Sequence, residues 1–139
     1  MRRFPNGSME KQVLAVDDDK GVLQLLERLG KRLGLQVELA ADGREALTKF
    51  QAAPDRFDVV LLDLTMPELS GEEVFAGIRE QRPDIPVVFM SGYTSQDVMQ
   101  RTGNAAGVLV LDKPFTMAAF QSVISQAIGE TSPPATGVG

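Results

Sequence analysis

Asp17-Asp18-Asp19, Asp63, Ser91 and Lys113 supply carboxylates, a hydroxyl and an ammonium, the groups that phosphoryl transfer to a carboxylate requires. Neighbouring carboxylates repel one another by up to about 4 kcal/mol at close range in a partly buried crevice. A bound cation relieves that repulsion. Oxygen ligands in a chain with no His and no Cys suit a hard divalent ion such as Mg²⁺, or Mn²⁺. Asp63 would be the nucleophile, attacking phosphorus in line. A metal held by Asp17, Asp18 and Asp63, with the Lys113 ammonium, would neutralise charge on the equatorial oxygens. Ser91 would hydrogen-bond a phosphoryl oxygen. The product places roughly −1.5 to −2 charge where an acid stood, enough to reorganise a loosely held helix.

Each residue alone has a plainer use. An acidic triplet after a strand can cap the next helix and favour its dipole, but capping needs only one acid. Strand-end geometry favours Asp17 and Asp18 as ligands and leaves Asp19 as the cap. Asp63, two residues before Thr65 and four before Pro67, could simply form a turn. Lys113 could be a solvated charge, and Ser91-Gly92 is a common turn pair. What unites them is where they fall.

Four apolar runs precede these residues: Val13–Val16, Val59–Leu62, Val87–Met90 and Val108–Leu111. Continuous β-rich runs separated by helical patterns mark parallel strands buried on both faces. In an open parallel sheet, ligands bind beyond the carboxyl ends of the strands, so all four polar positions should meet there.

The intervening segments read as helices. Val22, Leu25, Leu26, Leu29 and Leu33 recur at helical spacing before Gly34. Val37 and Leu39 alternate with polar residues and predict a more exposed second strand. Asp42-Gly43 opens a helix through Ala46, Leu47 and Phe50 that ends before Pro54. Pro67 and Gly71 mark a loop before a helix through Val74 and Ile78. Residues 94–102 offer only Val98 and Met99 as apolar anchors and predict a weak, mobile helix. Phe120, Val123, Ile124, Ala127 and Ile128 carry the last helix, which Gly129 ends. Five βα units with short connections predict an α/β, doubly wound, three-layer sandwich. The pattern by itself leaves the strand order open.

Residues 1–9 are polar and aperiodic and read as a disordered start or a tag remnant; 10–130 form one domain; 131–139 read as a flexible tail. With 43% hydrophobic and 24% charged residues, the composition is that of an ordinary globular protein. A net charge of −5 argues against direct nucleic-acid contact, which needs clustered Lys and Arg. No apolar stretch approaches the ~18 residues of a membrane span, so a cytoplasmic location is expected. Without histidine, the chain supplies no phosphohistidine of its own.

Val16-Asp17-Asp18-Asp19, Leu62-Asp63-Leu64-Thr65-Met66-Pro67, Gly71, Ser91-Gly92 and Lys113-Pro114-Phe115 resemble, in order and spacing, the receiver (response-regulator) domain of two-component signalling. The resemblance covers residues 10–130. It implies a flavodoxin-like sheet of order 2-1-3-4-5. It also implies phosphoryl transfer from a histidine kinase or phosphotransfer protein to Asp63. The Mg²⁺ is then bound by Asp17 or Asp18, by Asp63 and by the Thr65 carbonyl. Ser91 stands where Thr is commoner and keeps the hydroxyl. Val110, three before Lys113, occupies a position where many members carry a switching Tyr or Phe. A branched aliphatic cannot swing as a ring does, so output is expected to depend on the Ser91 loop and the 94–102 helix.

Met90-Ser91-Gly92-Tyr93 and Lys113-Pro114-Phe115-Thr116 also resemble receivers at the carboxyl end of hybrid sensor kinases, so an excised receiver is one alternative. A degenerate receiver that binds partners without phosphorylation is another. A haloacid-dehalogenase-type hydrolase would typically need a second acid two residues after its nucleophile, where Thr65 stands. The expectation is therefore a phosphoacceptor signalling domain, not an enzyme, acting as a monomer or a phosphorylation-dependent homodimer. Tyr93, beside the expected path of attacking water, should slow loss of the phosphoryl group.

Overall fold

A computed structural model describes residues 11–92, 94–103 and 105–129. The N-terminal segment read as a disordered start or tag remnant, the tail and Tyr93 lie outside the described residues, and with them the proposal that Tyr93 slows hydrolysis. Strands and helices alternate: β1 (Gln12–Val16), α1 (Lys20–Arg32), β2 (Gln36–Ala40), α2 (Gly43–Ala52), β3 (Val59–Asp63), α3 (Gly71–Gln81), β4 (Val87–Ser91), α4 (Ser95–Arg101), β5 (Val108–Asp112) and α5 (Met117–Ile128). A 3-10 turn at Pro54–Arg56, which the apolar pattern did not predict, joins α2 to β3.

All strands are parallel, in the order β2-β1-β3-β4-β5. This is the order that the resemblance implied. Side chains alternate between the faces along each strand. Leu14, Val16, Val60, Leu62, Val87 and Phe89 pack with Ala46 and Phe50 of α2, Val74, Phe75 and Ile78 of α3, and Val98 of α4. Val13, Ala15, Val59, Leu61, Val88 and Met90 pack with Leu26 of α1 and Phe120, Val123 and Ile124 of α5. Two helical layers thus enclose the sheet. β1, β3 and β4 are buried along their whole length, which explains their unbroken apolar runs. Each such Val, Leu or Phe gains about 1.5–3 kcal/mol from burial.

β2 lies at the edge and is half-exposed, as its alternation predicted. Lys49 guards that edge: its Nζ donates to the Leu39 carbonyl at 2.6 Å and pairs with Glu38 and Glu45, both at 3.1 Å. Charge on an edge strand discourages pairing with another chain.

Local chemistry sets the helix starts. The Asp42 carboxylate accepts the Glu45 N–H at 2.8 Å. Ser70 and Glu73 form a reciprocal capping box at the start of α3. α1 and α5 end against Gly34 and Gly129, both at φ 76°, the left-handed region that glycine enters without a Cβ penalty.

Candidate functional site

β1, β3 and β4 end together because their registers are tight: Val16 lies opposite Leu62, Asp63 opposite Met90, and Ser91 opposite Asp112. Asp63 and Ser91 are the last residues of β3 and β4, one beyond the apolar runs. Asp17 follows β1 directly, and its N–H donates to the Ala40 carbonyl at 3.2 Å.

Asp17 and Asp63 are almost sealed, at 1% and 6% exposure, while Asp18 is exposed. One oxygen from each of the three carboxylates can be chosen so that all lie within 4.8 Å of one another. The Lys113 ammonium bridges two of the acids, donating to Asp17 Oδ2 at 2.8 Å and to Asp63 Oδ1 at 3.2 Å. Asp17 Oδ1 accepts the Asp19 N–H at 2.9 Å. Asp19 turns away to cap α1, accepting from Gly21 N–H at 2.8 Å and Val22 N–H at 3.3 Å. The acidic triplet therefore divides into one cap, Asp19, and two acids with a carboxylate oxygen close to that of Asp63.

Ser91 is buried, and its carbonyl accepts the Lys113 N–H at 2.8 Å. That bond ties the two polar strand ends together. Lys113-Pro114 is a cis peptide, which the sequence did not signal. Thr65 is exposed two residues past Asp63.

The electrostatics follow from burial. Desolvation first, then the neighbouring Asp17 charge, push the Asp63 carboxyl up to about 6 from its usual 3.8, against the lowering influence of Lys113. For Lys113, burial is the largest single effect and works against its charge. The Asp17 hydrogen bond and the charges of Asp63 and Asp17 outweigh it and raise the ammonium above its usual value. Three carboxylates around one ammonium leave negative charge uncompensated. That imbalance and the all-oxygen donor set fit a hard divalent cation.

Gly71 acquires a role beyond marking a loop. A Cβ there would lie 2.4 Å from the Asp63 carbonyl oxygen and 2.8 Å from Leu64 Cα, so only glycine lets α3 start against the end of β3. Its N–H donates to the Leu64 carbonyl at 3.0 Å. The Ser70-Gly71-Glu72-Glu73 capping signature could have located this start from the sequence. The close approach could not be read there.

Comparison with known proteins agrees with this geometry. The response regulator receiver domain family model matches residues 13–125. The response regulator MprA of Mycolicibacterium vanbaalenii is 35% identical over 125 residues, which cover 90% of this chain and 53% of MprA. The chain spans about half the length of the curated relatives it matches. Among solved structures, the chemotaxis protein CheY4 of Vibrio cholerae is similar with a TM-score of 0.79 and 33% identity, covering 85% of this chain and 98% of CheY4. The receiver domain of sensor histidine kinase PA1611 from Pseudomonas aeruginosa PAO1 has a TM-score of 0.75 and 28% identity, covering 87% of this chain and 99% of its own. That structure holds a magnesium ion in its active-site cleft. Sequence and fold thus agree over the same stretch of chain, and the protein belongs to the response regulator receiver domain family of two-component signalling.

Proposed function

We propose that Asp63 is the phosphoacceptor, and that a histidine kinase or phosphotransfer protein is its donor. The observation that carries this is the Lys113 ammonium shared between Asp17 and Asp63, at 2.8 and 3.2 Å, in one crevice at the strand ends. An Asp63 oxygen attacks phosphorus in line, and the P–N bond to the donor imidazole breaks with its electron pair remaining on nitrogen. Lys113 faces the charge that gathers on the phosphoryl oxygens. The Ser91 hydroxyl donates a hydrogen bond to one of those oxygens once the acyl phosphate exists.

Asp17, Asp18, Asp63 and the Thr65 carbonyl would hold Mg²⁺, or Mn²⁺. The ion supplies Lewis-acid neutralisation of the phosphoryl oxygens. The magnesium in the PA1611 receiver's cleft supports this assignment. The receiver unit is taken as residues 10–130, around the family match at 13–125. The chain acts in the cytoplasm as a signalling domain whose only chemistry is gain and loss of its own phosphoryl group. Among the described residues, no helix is long and apolar enough to cross a membrane.

The test is intact mass after incubation with acetyl phosphate and Mg²⁺, beside an Asp63→Asn control. Gain of one phosphoryl group, absent in the control and absent without Mg²⁺, is the expected result. A control that gains the group equally would remove Asp63 from its role.

A further inference from the structure

Arg101, in the last turn of α4, reaches across to Glu72 in the first turn of α3. Its Nε donates to Glu72 Oε2 at 3.1 Å and its Nη2 to Glu72 Oε1 at 3.2 Å. Two parallel bonds of this kind hold a guanidinium and a carboxylate in one plane and one relative orientation. The phosphoryl chemistry proposed above makes no use of the contact.

Its position gives it another use. Glu72 follows Gly71, which lies against the Asp63 carbonyl and donates to the Leu64 carbonyl at 3.0 Å. The Ser70–Glu73 capping box stiffens the same turn. A displacement of the backbone after Asp63 is therefore inherited by Glu72, because no slack separates them. At the other end, α4 has seven residues and, among those whose burial is described, sinks only Val98 fully into the core, with Met99 half-buried. A helix so lightly seated can be biased by one oriented contact. β5 offers no ring to carry the signal, since half-buried Val110 stands there.

We propose that the Glu72–Arg101 pair is a strap that transmits the state of Asp63 to α4, by way of Gly71 and the first turn of α3. This rests on the reading of Asp63 as phosphoacceptor. A partly exposed pair of this kind biases a two-state element by roughly two- to fivefold. Its effect should therefore be partial and measurable.

The experiment compares wild type, Glu72→Gln, Arg101→Gln and the charge swap Glu72→Arg with Arg101→Glu. Each is checked for phosphoryl gain from acetyl phosphate. Backbone amide shifts at residues 96–101 are then followed as beryllofluoride and Mg²⁺ are added. All four proteins should gain one phosphoryl group. The shift change along α4 should fall to roughly half or less in the single variants and recover in the swap. A merely structural pair would lower thermal stability without altering that change. An undiminished α4 response in both single variants overturns the strap. So does a phosphorylated wild type whose α4 amides do not move. A wild type that neither gains phosphoryl nor responds to beryllofluoride overturns the reading of Asp63, and the strap with it.

Discussion

On the β1–β3 side of the crevice, Asp17 and Asp63 are nearly sealed, and Gly71 is wedged against the Asp63 carbonyl. On the β4–β5 side, a Cβ at Gly92 would meet no described residue within 4 Å, and α4 is the shortest of the five α-helices among the described residues, seven residues long. α3 sinks Val74, Phe75 and Ile78 into the core, whereas α4 sinks Val98. The contrast suits the two tasks proposed for these sides. A nucleophile and its ammonium must be held to fractions of an ångström to be useful in a transition state. A reporting element must have two arrangements of similar free energy, which dense packing denies.

The same substitution on the two sides is the sharpest way to break this contrast. Gly71→Ala forces a Cβ into backbone atoms at 2.4–2.9 Å and should cost about 3 kcal/mol in urea unfolding. Lys113→Met comes next. It leaves Asp17 and Asp63 facing each other in a site with little solvent and should cost about 2 kcal/mol at pH 7 without metal. That loss should shrink on acidification: with the lowering influence of Lys113 gone, Asp63 takes up its proton above the wild-type value of about 6, and its repulsion with Asp17 ends.

Asp63→Asn should act in the opposite direction. The folded carboxyl binds its proton more tightly than the unfolded one, about 6 against 3.8. Its charge therefore destabilises the folded state progressively as pH rises from about 4 to about 6. Removing that charge should stabilise the metal-free protein by about 1–2 kcal/mol at pH 7 and have little effect below pH 4. Added Mg²⁺ should raise the urea midpoint of wild type more than that of this variant. Gly92→Ala should change stability by no more than about 0.5 kcal/mol. A large loss there, or a small one at Gly71, would erase the contrast between a rigid and a permissive side.

Much of the architecture was legible because it is encoded locally. A strand buried on both faces must be apolar throughout, so Asp17, Asp63 and Ser91 stand out as the points where burial yields to chemistry. The caps at Asp19 and Asp42 involve bonds between residues two or three apart, which spacing alone exposes. The half-exposed edge strand β2 was visible in its alternation for the same reason. Residues 94–102 likewise revealed their weak seating, since two apolar anchors cannot bury much surface.

Other features lay beyond that reach because they depend on which distant segments meet. Periodicity does not say which crossover passes to which side of β1, so strand order came from family resemblance and then from the sheet itself. The Lys113 bridge spans 96 residues to Asp17 and 50 to Asp63, and no local pattern records such a pairing. The sealed Asp17 and exposed Asp18 are adjacent and chemically identical. Only the packing of β1 beneath its neighbours distinguishes them. Gly71 against the Asp63 carbonyl and Arg101 against Glu72 belong to the same class. By itself the sequence determined the elements, their caps and the polar residues that end the strands, since hydrophobic period and capping are short-range. The tertiary structure alone decided which charges share one ammonium, and with which neighbours, because only folding sets the distances and burial that electrostatics depends on.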